Sequence, residues 1–163
     1  MRRQLLAIAA LSAAVALGTA TSAVAAEPVW QETGTAYVDS LGGGQGLASR
    51  ADGSLLHRGP ASIPLDLRLK GWNHIGDPDI AEDHVFDAYQ GADSATSKMF
   101  AVTTPDGKRY EYVHQLDAGE KVNNSFAAVS PDGQWLVSGE WGDQDRLQVF
   151  PAPLLNPATP RTG

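Results

Sequence analysis

Residues 130–138 read Ser-Pro-Asp-Gly-Gln-Trp-Leu-Val-Ser, a turn sequence that leads directly into an apolar run. Proline presets φ at the second position of a tight turn, and Asp132 is tolerated at the third. Gly133 accepts the positive φ that follows, as in a hairpin loop closed by a glycine bulge. The sequence therefore predicts a β-hairpin with residues 126–129 and 135–139 as its arms.

The same turn chemistry occurs again at residues 104–107, which read Thr-Pro-Asp-Gly. It predicts a second hairpin, with arms at Met99–Thr103 and Lys108–His114. Alternation of apolar and polar side chains, typical of half-buried strands, also runs through Ile63–Lys70 and Arg146–Phe150. A helical period is hard to find after the amino-terminal segment. The predicted fold class is all-β.

Three segments of the sequence can be aligned, and each consists of a short strand, an Asp turn and a second apolar strand. The turn acids are Asp52, Asp83 and Asp132, and further strand sequence follows each unit. A β-propeller blade has this arrangement, with four strands in about 40–45 residues. Residues 26–150 supply about three such units, so we predict a partial β-propeller-like array of about three antiparallel blades. A curved β-sandwich is the alternative.

Residues 130–138 resemble the S-P-D-G-x-W-L repeat core of TolB-type and related WD40-like (YVTN-type) bacterial propellers, and residues 104–108 are a poorer copy. Residues 71–79 and 126–153 also resemble secreted actinobacterial proteins of unassigned function. A closed propeller has typically about four to eight blades. The resemblance therefore implies a shortened propeller, or a chain that forms an oligomer to close its sheet. It implies no particular activity.

The first 25 residues have the three parts of a secretory signal peptide. A twin arginine precedes the apolar run Leu5–Leu17, and residues 23–25, Ala-Val-Ala, suit cleavage. The apolar run is shorter than the about 20 residues that a membrane span needs. We expect a secreted, extracellular protein with a folded domain at 26–150 and a Pro-rich flexible tail at 151–163. Sec and Tat export both remain open.

The composition excludes several classes of protein. The chain has 163 residues, a formal net charge of −7 and no cysteine. Without cysteine there is no disulfide, thiolate metal site or cysteine nucleophile. An acidic chain lacks the basic surface that phosphate binding needs, so nucleic acid is not an expected partner. Beyond the signal peptide the sequence has no second apolar run long enough to span a membrane.

The densest cluster of polar residues lies between His74 and Asp87. Its carboxylates could hold Ca²⁺, which takes about six to eight oxygen ligands. The predicted calcium ligands are Asp77, Asp79, Asp83 and Asp87. The alternative is an acidic, solvated turn whose carboxylates cap backbone N–H groups. No other cofactor is expected.

No catalytic constellation emerges, because the G-x-S-x-G and H-E-x-x-H motifs are absent from the sequence. Trp72, Trp135 and Trp141 could instead form a platform for stacking on sugars, although tryptophan often fills a core. The predicted ligand-binding residues are Trp72, His74 and Trp141.

The leading hypothesis is an exported, non-catalytic, propeller-like module whose loops bind a protein, a cell surface or a carbohydrate. One rival is a secreted metal-dependent hydrolase or lyase that uses the His74–Asp87 acidic cluster. A third reading is a truncated relative without function, which would fold poorly because open strand edges aggregate.

Overall fold

The computed structural model describes residues 29–151, and strands outnumber helices among its secondary-structure elements. The predicted signal peptide, and all of the predicted tail except Pro151, lie outside the described residues. The strands form three antiparallel sheets, none of which closes on itself within this range. No helix between residues 29 and 151 is long and apolar enough to cross a membrane. The all-β prediction is confirmed.

Sheet 1 is a two-stranded hairpin of β1 (Gly46–Ser49) and β2 (Leu55–Arg58). Its turn contains Asp52, whose carboxylate accepts hydrogen bonds from the N–H and the hydroxyl of Ser54, at 2.9 and 2.7 Å. Gly53 follows with a φ of 82°. The first of the three aligned Asp turns therefore closes a hairpin.

Sheet 2 is an antiparallel meander whose first row is interrupted. The strands β3 (His74–Ile75) and β4 (Asp79–Ala81) both pair with the same edge of β5, at its two ends. The remaining strands are β5 (His84–Gln90), β6 (Ser97–Thr103) and β7 (Arg109–Gln115). The hairpin of β6 and β7 is the one predicted around residues 104–107, and Gly107 has a φ of 80°.

Sheet 3 has the order β8-β9-β10 and contains the hairpin predicted around residues 130–133. Its strands are β8 (Ala128–Val129), β9 (Trp135–Ser138) and β10 (Gln148–Pro151). Gly133 has a φ of 68°, as the turn sequence requires. Pro151 pairs with Trp135, so the sheet extends one residue into the segment predicted as a tail.

Residues 60–69 contain two short helical turns, and the strand predicted at Ile63–Lys70 is wrong. A 3-10 turn at Pro60–Ser62 precedes a short α-helix at Leu65–Leu69. Pro60 starts the 3-10 turn, where its fixed φ suits a helix and its missing N–H is not needed, and Pro64 is the N-cap residue of the α-helix. Ile63 and Leu67, four residues apart, are buried, whereas Leu65 and Leu69 are exposed. A strand would place Leu65, Leu67 and Leu69 on one face, whereas the helix buries only Leu67 of these three.

The segment before sheet 1 contains a one-turn helix at Ser40–Gly43. Asp39 caps this helix, because its carboxylate accepts the N–H groups of Leu41 and Gly42. The cap explains why a glycine-rich stretch is ordered here.

Sheet 2 has a buried cluster of side chains on each of its faces. One cluster joins it to sheet 3 and contains Phe86, Ala88, Phe100, Val102, Tyr112, Ala127, Leu136 and Phe150. The other joins it to the 60–69 segment and contains Ile63, Leu67, Trp72, Ile75, Tyr89, Met99 and Ala101. Sheet 2 is therefore the central layer. In addition, β1 contacts β4 and β4 contacts β8, so the first rows of the three sheets are neighbours.

The turn between β4 and β5 offers a test of the fold. Ala81 pairs with His84, which leaves Glu82 and Asp83 as a two-residue loop with φ of 47° and 60°. Positive φ at both positions favours Asn-Gly. We expect the double substitution Glu82→Asn and Asp83→Gly to raise the free energy of unfolding by about 1 kcal/mol, measured by urea denaturation in EDTA. Asp83→Val should lower it, and equal stability of both variants would contradict this turn geometry.

Candidate functional site

Asp77, one of the four predicted calcium ligands, joins the three sheets. It lies in the interruption between β3 and β4, and its Oδ1 accepts the N–H of Leu47 in β1 at 2.5 Å. Its own N–H donates to the carbonyl of Ser125 at 2.8 Å, and its carbonyl accepts the N–H of Ala127 at 2.9 Å. The side chain thus binds sheet 1, while the main chain binds the segment that leads into sheet 3.

Asp79 and Asp87 make further contacts between sheets. Asp79 Oδ2 accepts the N–H of Val129 in β8 at 2.7 Å. Asp87 is buried and accepts two hydrogen bonds from Arg58 in β2, at 2.6 and 3.0 Å. Burial lowers the pKa of Arg58, but the hydrogen bond and charge of Asp87 outweigh it and hold that pKa above its ordinary value. Arg58 therefore stays protonated.

The structure does not bring the four predicted calcium ligands together. Asp83 lies in the turn between β4 and β5, whereas the other three carboxylates point to separate partners. Within the described part of the chain, His114, Asp117 and Glu120 are the group of three whose ligand atoms lie within 4.8 Å of one another. Asp77 and Asp79 accept backbone N–H groups, which is the role that the alternative interpretation assigns to them. Calcium binding in this segment stays a prediction.

His74 and Trp141, two of the predicted ligand-binding residues, line one cleft of about 340 Å³. The other lining residues are Gln45, Gly76, Gln90, Asn123 and Ser125. Gln45 precedes β1, His74 and Gln90 form a pair between β3 and β5, and the remaining polar residues flank β8 and β9. All three sheets therefore contribute to the walls of this cleft, which we call the junction cleft.

Asn123 holds the junction cleft in shape. Its Oδ1 accepts the backbone N–H of Trp141 at 2.5 Å and the hydroxyl of Ser125 at 2.6 Å. Its Nδ2 donates to Gln90 Oε1 at 2.9 Å. Gly76 allows the walls to approach, because a Cβ at this position would collide with the carbonyl oxygens of residues 124 and 125. The side-chain oxygens of Gln90 and Asn123, and one N–H of the Asn123 amide, are therefore already used within the protein.

Several polar groups of the junction cleft have no hydrogen-bond partner among residues 29–151. These are the imidazole of His74, the side-chain amide of Gln45 and the Nε2 of Gln90. Trp141 stands beside them with an exposed fraction of 80%. None of the lining residues is Asp, Glu, Lys or Arg. The cleft therefore offers uncharged donors and acceptors next to an exposed indole.

Trp72 does not belong to this cleft. It is buried in the core beside Leu67, Ile75 and Met99, and its edge borders a separate hollow of about 280 Å³ near Lys70. Trp135 is half exposed on β9 and does not line the junction cleft. The three tryptophans therefore do not form one platform, because Trp72 is buried in the core and Trp135 lies on β9 outside the cleft that Trp141 lines.

A buried polar network behind the junction cleft escaped sequence reasoning. Lys98 is fully buried, and its Nζ donates to Gln148 Oε1 at 2.7 Å and to the carbonyl of Asn123 at 3.4 Å. Burial lowers the pKa of Lys98, against the opposing charges of Glu140 and Glu120. No local signal could reveal this network, because the partners of Lys98 are 25 to 50 residues away in sequence.

Glu120 extends the network to the end of sheet 2. Its Oε2 lies 2.6 Å from His114 Nε2 and accepts the N–H of Asp117 at 2.9 Å, while its Oε1 accepts Gln148 Nε2 at 2.7 Å. Burial raises the pKa of Glu120, but the hydrogen bonds from Asp117 and His114 outweigh it and hold that pKa below its ordinary value. Both oxygens are thus engaged within the protein.

Comparisons of the chain with models of known protein families, with curated proteins and with solved structures find no match. The resemblance to WD40-like propellers therefore rests on the quoted residues alone. The junction cleft has to be interpreted from its own geometry and chemistry.

Removing the Asp77 carboxylate should loosen sheet 1. We expect Asp77→Ala to lower the free energy of unfolding by about 1–2 kcal/mol, because the N–H of Leu47 loses its acceptor. Asp77→Asn should lose less, since its Oδ1 can accept the same bond. Urea denaturation in EDTA measures both. An Asp77→Ala variant as stable as the parent would contradict the role of this contact.

Denaturation with added Ca²⁺ tests the calcium prediction. If Asp77 is a calcium ligand, both variants should lose the stabilisation that Ca²⁺ gives the parent.

The lowered pKa of Glu120 predicts acid sensitivity. A carboxyl with a lower pKa in the folded state stabilises the protein above its unfolded pKa and loses this contribution as the pH falls through the folded value. We expect Glu120→Gln to be less stable at pH 7 and to show a weaker loss of stability between about pH 5 and about pH 3. Urea midpoints across this range measure the effect. Asp93→Asn, at an exposed position, serves as the control. Curves of urea midpoint against pH that run parallel for Glu120→Gln and the parent would contradict the predicted role of Glu120.

Proposed function

We propose that the chain is an exported, non-catalytic binding module of propeller-like architecture that takes its ligand in the junction cleft. The observation that carries this proposal is the set of unpartnered, uncharged polar groups beside the exposed indole of Trp141. Small-molecule sites are concave and contain a few placed polar groups of this kind. The lining holds a histidine and a serine but no acid or cation to complete a reactive group.

The propeller-like part of the proposal is supported by the order of the sheets. Three antiparallel units follow one another along the chain, and the first row of each contacts the first row of the next. Sheet 2 has four rows, like a propeller blade, and packs face to face on sheet 3. Sheets 1 and 3 have fewer rows. A curved β-sandwich of sheets 2 and 3, or closure of the array by a second copy, are the remaining forms of this proposal.

The amino-terminal features support secretion, where a protein, a cell surface or a carbohydrate would be the partner. The rival, a metal-dependent hydrolase or lyase, gains no support from the geometry. Asp77, Asp79 and Asp87 already bind backbone N–H groups or Arg58. A metal at these carboxylates would share them with the contacts that join the sheets.

Nuclear magnetic resonance titration tests the proposed site. The full gene is expressed with its own leader, and the ¹⁵N-labelled protein is recovered from the culture medium. The probes are neutral sugars and N-acetylated amino acid amides, with citrate and spermine as charged comparators. We expect a neutral probe to shift the indole N–H of Trp141 and the side-chain amide of Gln90 in a saturable manner.

Two variants control this titration. Trp141→Ala should weaken binding about tenfold or more, whereas Trp135→Ala should leave it unchanged because Trp135 lies outside the cleft. A panel in which no probe shifts the cleft resonances would overturn the proposed function. A protein that reaches the medium but shows no cooperative thermal transition would favour the truncated, non-functional relative.

A further inference from the structure

The junction cleft has no charged group with which to select a charged ligand. Its lining offers the amides of Gln45 and Gln90, the imidazole of His74 and the hydroxyl of Ser125. The nearest buried cation, Lys98, directs its Nζ to the carbonyl of Asn123 and to Gln148. Phosphates, carboxylates and ammonium groups would therefore be desolvated here without a counter-charge, which is unfavourable.

The free groups require a ligand that both donates and accepts hydrogen bonds. Gln90 Oε1 is occupied by Asn123 and by the N–H of residue 124, so its Nε2 is left as a donor. Ser125 donates its hydroxyl hydrogen to Asn123, so its oxygen is left as an acceptor. Gln45 offers one group of each kind. A hydroxyl group serves both needs, since it carries one donor and two acceptor lone pairs.

Trp141 supplies the apolar half of the site. Its indole is 80% exposed, although its backbone N–H is fixed by Asn123 at 2.5 Å. An exposed aromatic ring beside polar groups suits a ligand with one apolar face and a polar rim. The pyranose ring of a sugar has this character, because its C–H groups lie on a face and its hydroxyls project from the edge.

A peptide is less well matched to this cleft. A peptide commonly binds a sheet by adding a strand to a free edge. The outer edge of the β3–β4 row is already taken at Asp77, whose N–H and carbonyl bond to Ser125 and Ala127. No backbone ladder is therefore open at that point, and the recognition groups that remain are side chains.

We infer that the ligand of the junction cleft is a neutral carbohydrate, with one sugar ring stacked on Trp141 and its hydroxyls bonded to Gln45, His74, Gln90 and Ser125. This inference rests on the proposed function of the cleft. The volume of about 340 Å³ is near the lower end of small-ligand sites, which span about 300–1,000 Å³. The site would therefore hold one or two sugar rings, at an end or a branch of a longer glycan.

A glycan array and a titration together test the inference. The full chain recovered from the medium is applied to an array of neutral and acidic glycans, and the methyl glycoside of the best-bound sugar is titrated by tryptophan fluorescence. We expect retention of neutral glycans. Trp141→Ala should weaken binding about tenfold or more, and Trp141→Phe should lose less because it keeps an aromatic face. Gln90→Glu should also weaken binding, since it replaces the free donor with an acceptor.

Controls separate this inference from the proposed function. Trp135→Ala should bind like the parent, and all variants should have the thermal midpoint of the parent. If no glycan is retained while a neutral amide probe still shifts the Trp141 indole resonance, the carbohydrate inference fails and the binding module stands. If neither glycans nor amides engage the cleft, both fail. Glycan binding that survives Trp141→Ala would place the sugar elsewhere and overturn the inference.

Discussion

The three hydrogen bonds of Asp77 hold the three sheets at one point. Its carboxylate accepts Leu47 N–H from sheet 1, and its main chain pairs with residues on either side of Phe126, at the entry to sheet 3. The approach requires glycine, since a Cβ at Gly46 would lie 2.6 Å from the Asp77 Cα. Gln45 and Ser125, two walls of the junction cleft, adjoin these contacts. The shape of the cleft thus depends on the same joint.

The acidity of the His74–Asp87 segment follows from how small sheets are joined. Because the chain has no cysteine, its sheets are held together by burial and hydrogen bonding and not by disulfides. Asp77 and Asp79 satisfy N–H groups of β1 and β8, and Asp87 pairs with Arg58 where water is largely excluded. A hydrogen bond to an ionised carboxylate is stronger than one between neutral groups. A dense run of acids can therefore serve as a set of links between sheets.

The sequence predicted structures that depend on a few neighbouring residues, and it missed the cleft, whose residues are far apart in the chain. The hairpins at residues 104–107 and 130–133 depend on four-residue turn chemistry, so the sequence suffices for them. The helix at Leu65–Leu69 was missed because alternation of leucines also fits a strand, and burial of Leu67 against sheet 2 resolved the choice. His74 and Trp141 were predicted as ligand contacts. Their neighbours Gln45, Gln90 and Asn123 were not, because these ordinary polar residues meet only once the sheets are joined.

The position of the junction cleft would couple the proposed ligand binding to the integrity of the array. Residues from all three units line its walls. A ligand that bonds to Gln45 of the first unit and to Ser125 of the third would add a bridge to the links that Asp77, Asp79 and the Arg58–Asp87 pair already make between the sheets. Because it binds only the joined state, it would stabilise that state by mass action. Ligand binding and folding would then both depend on the contacts that join the three sheets.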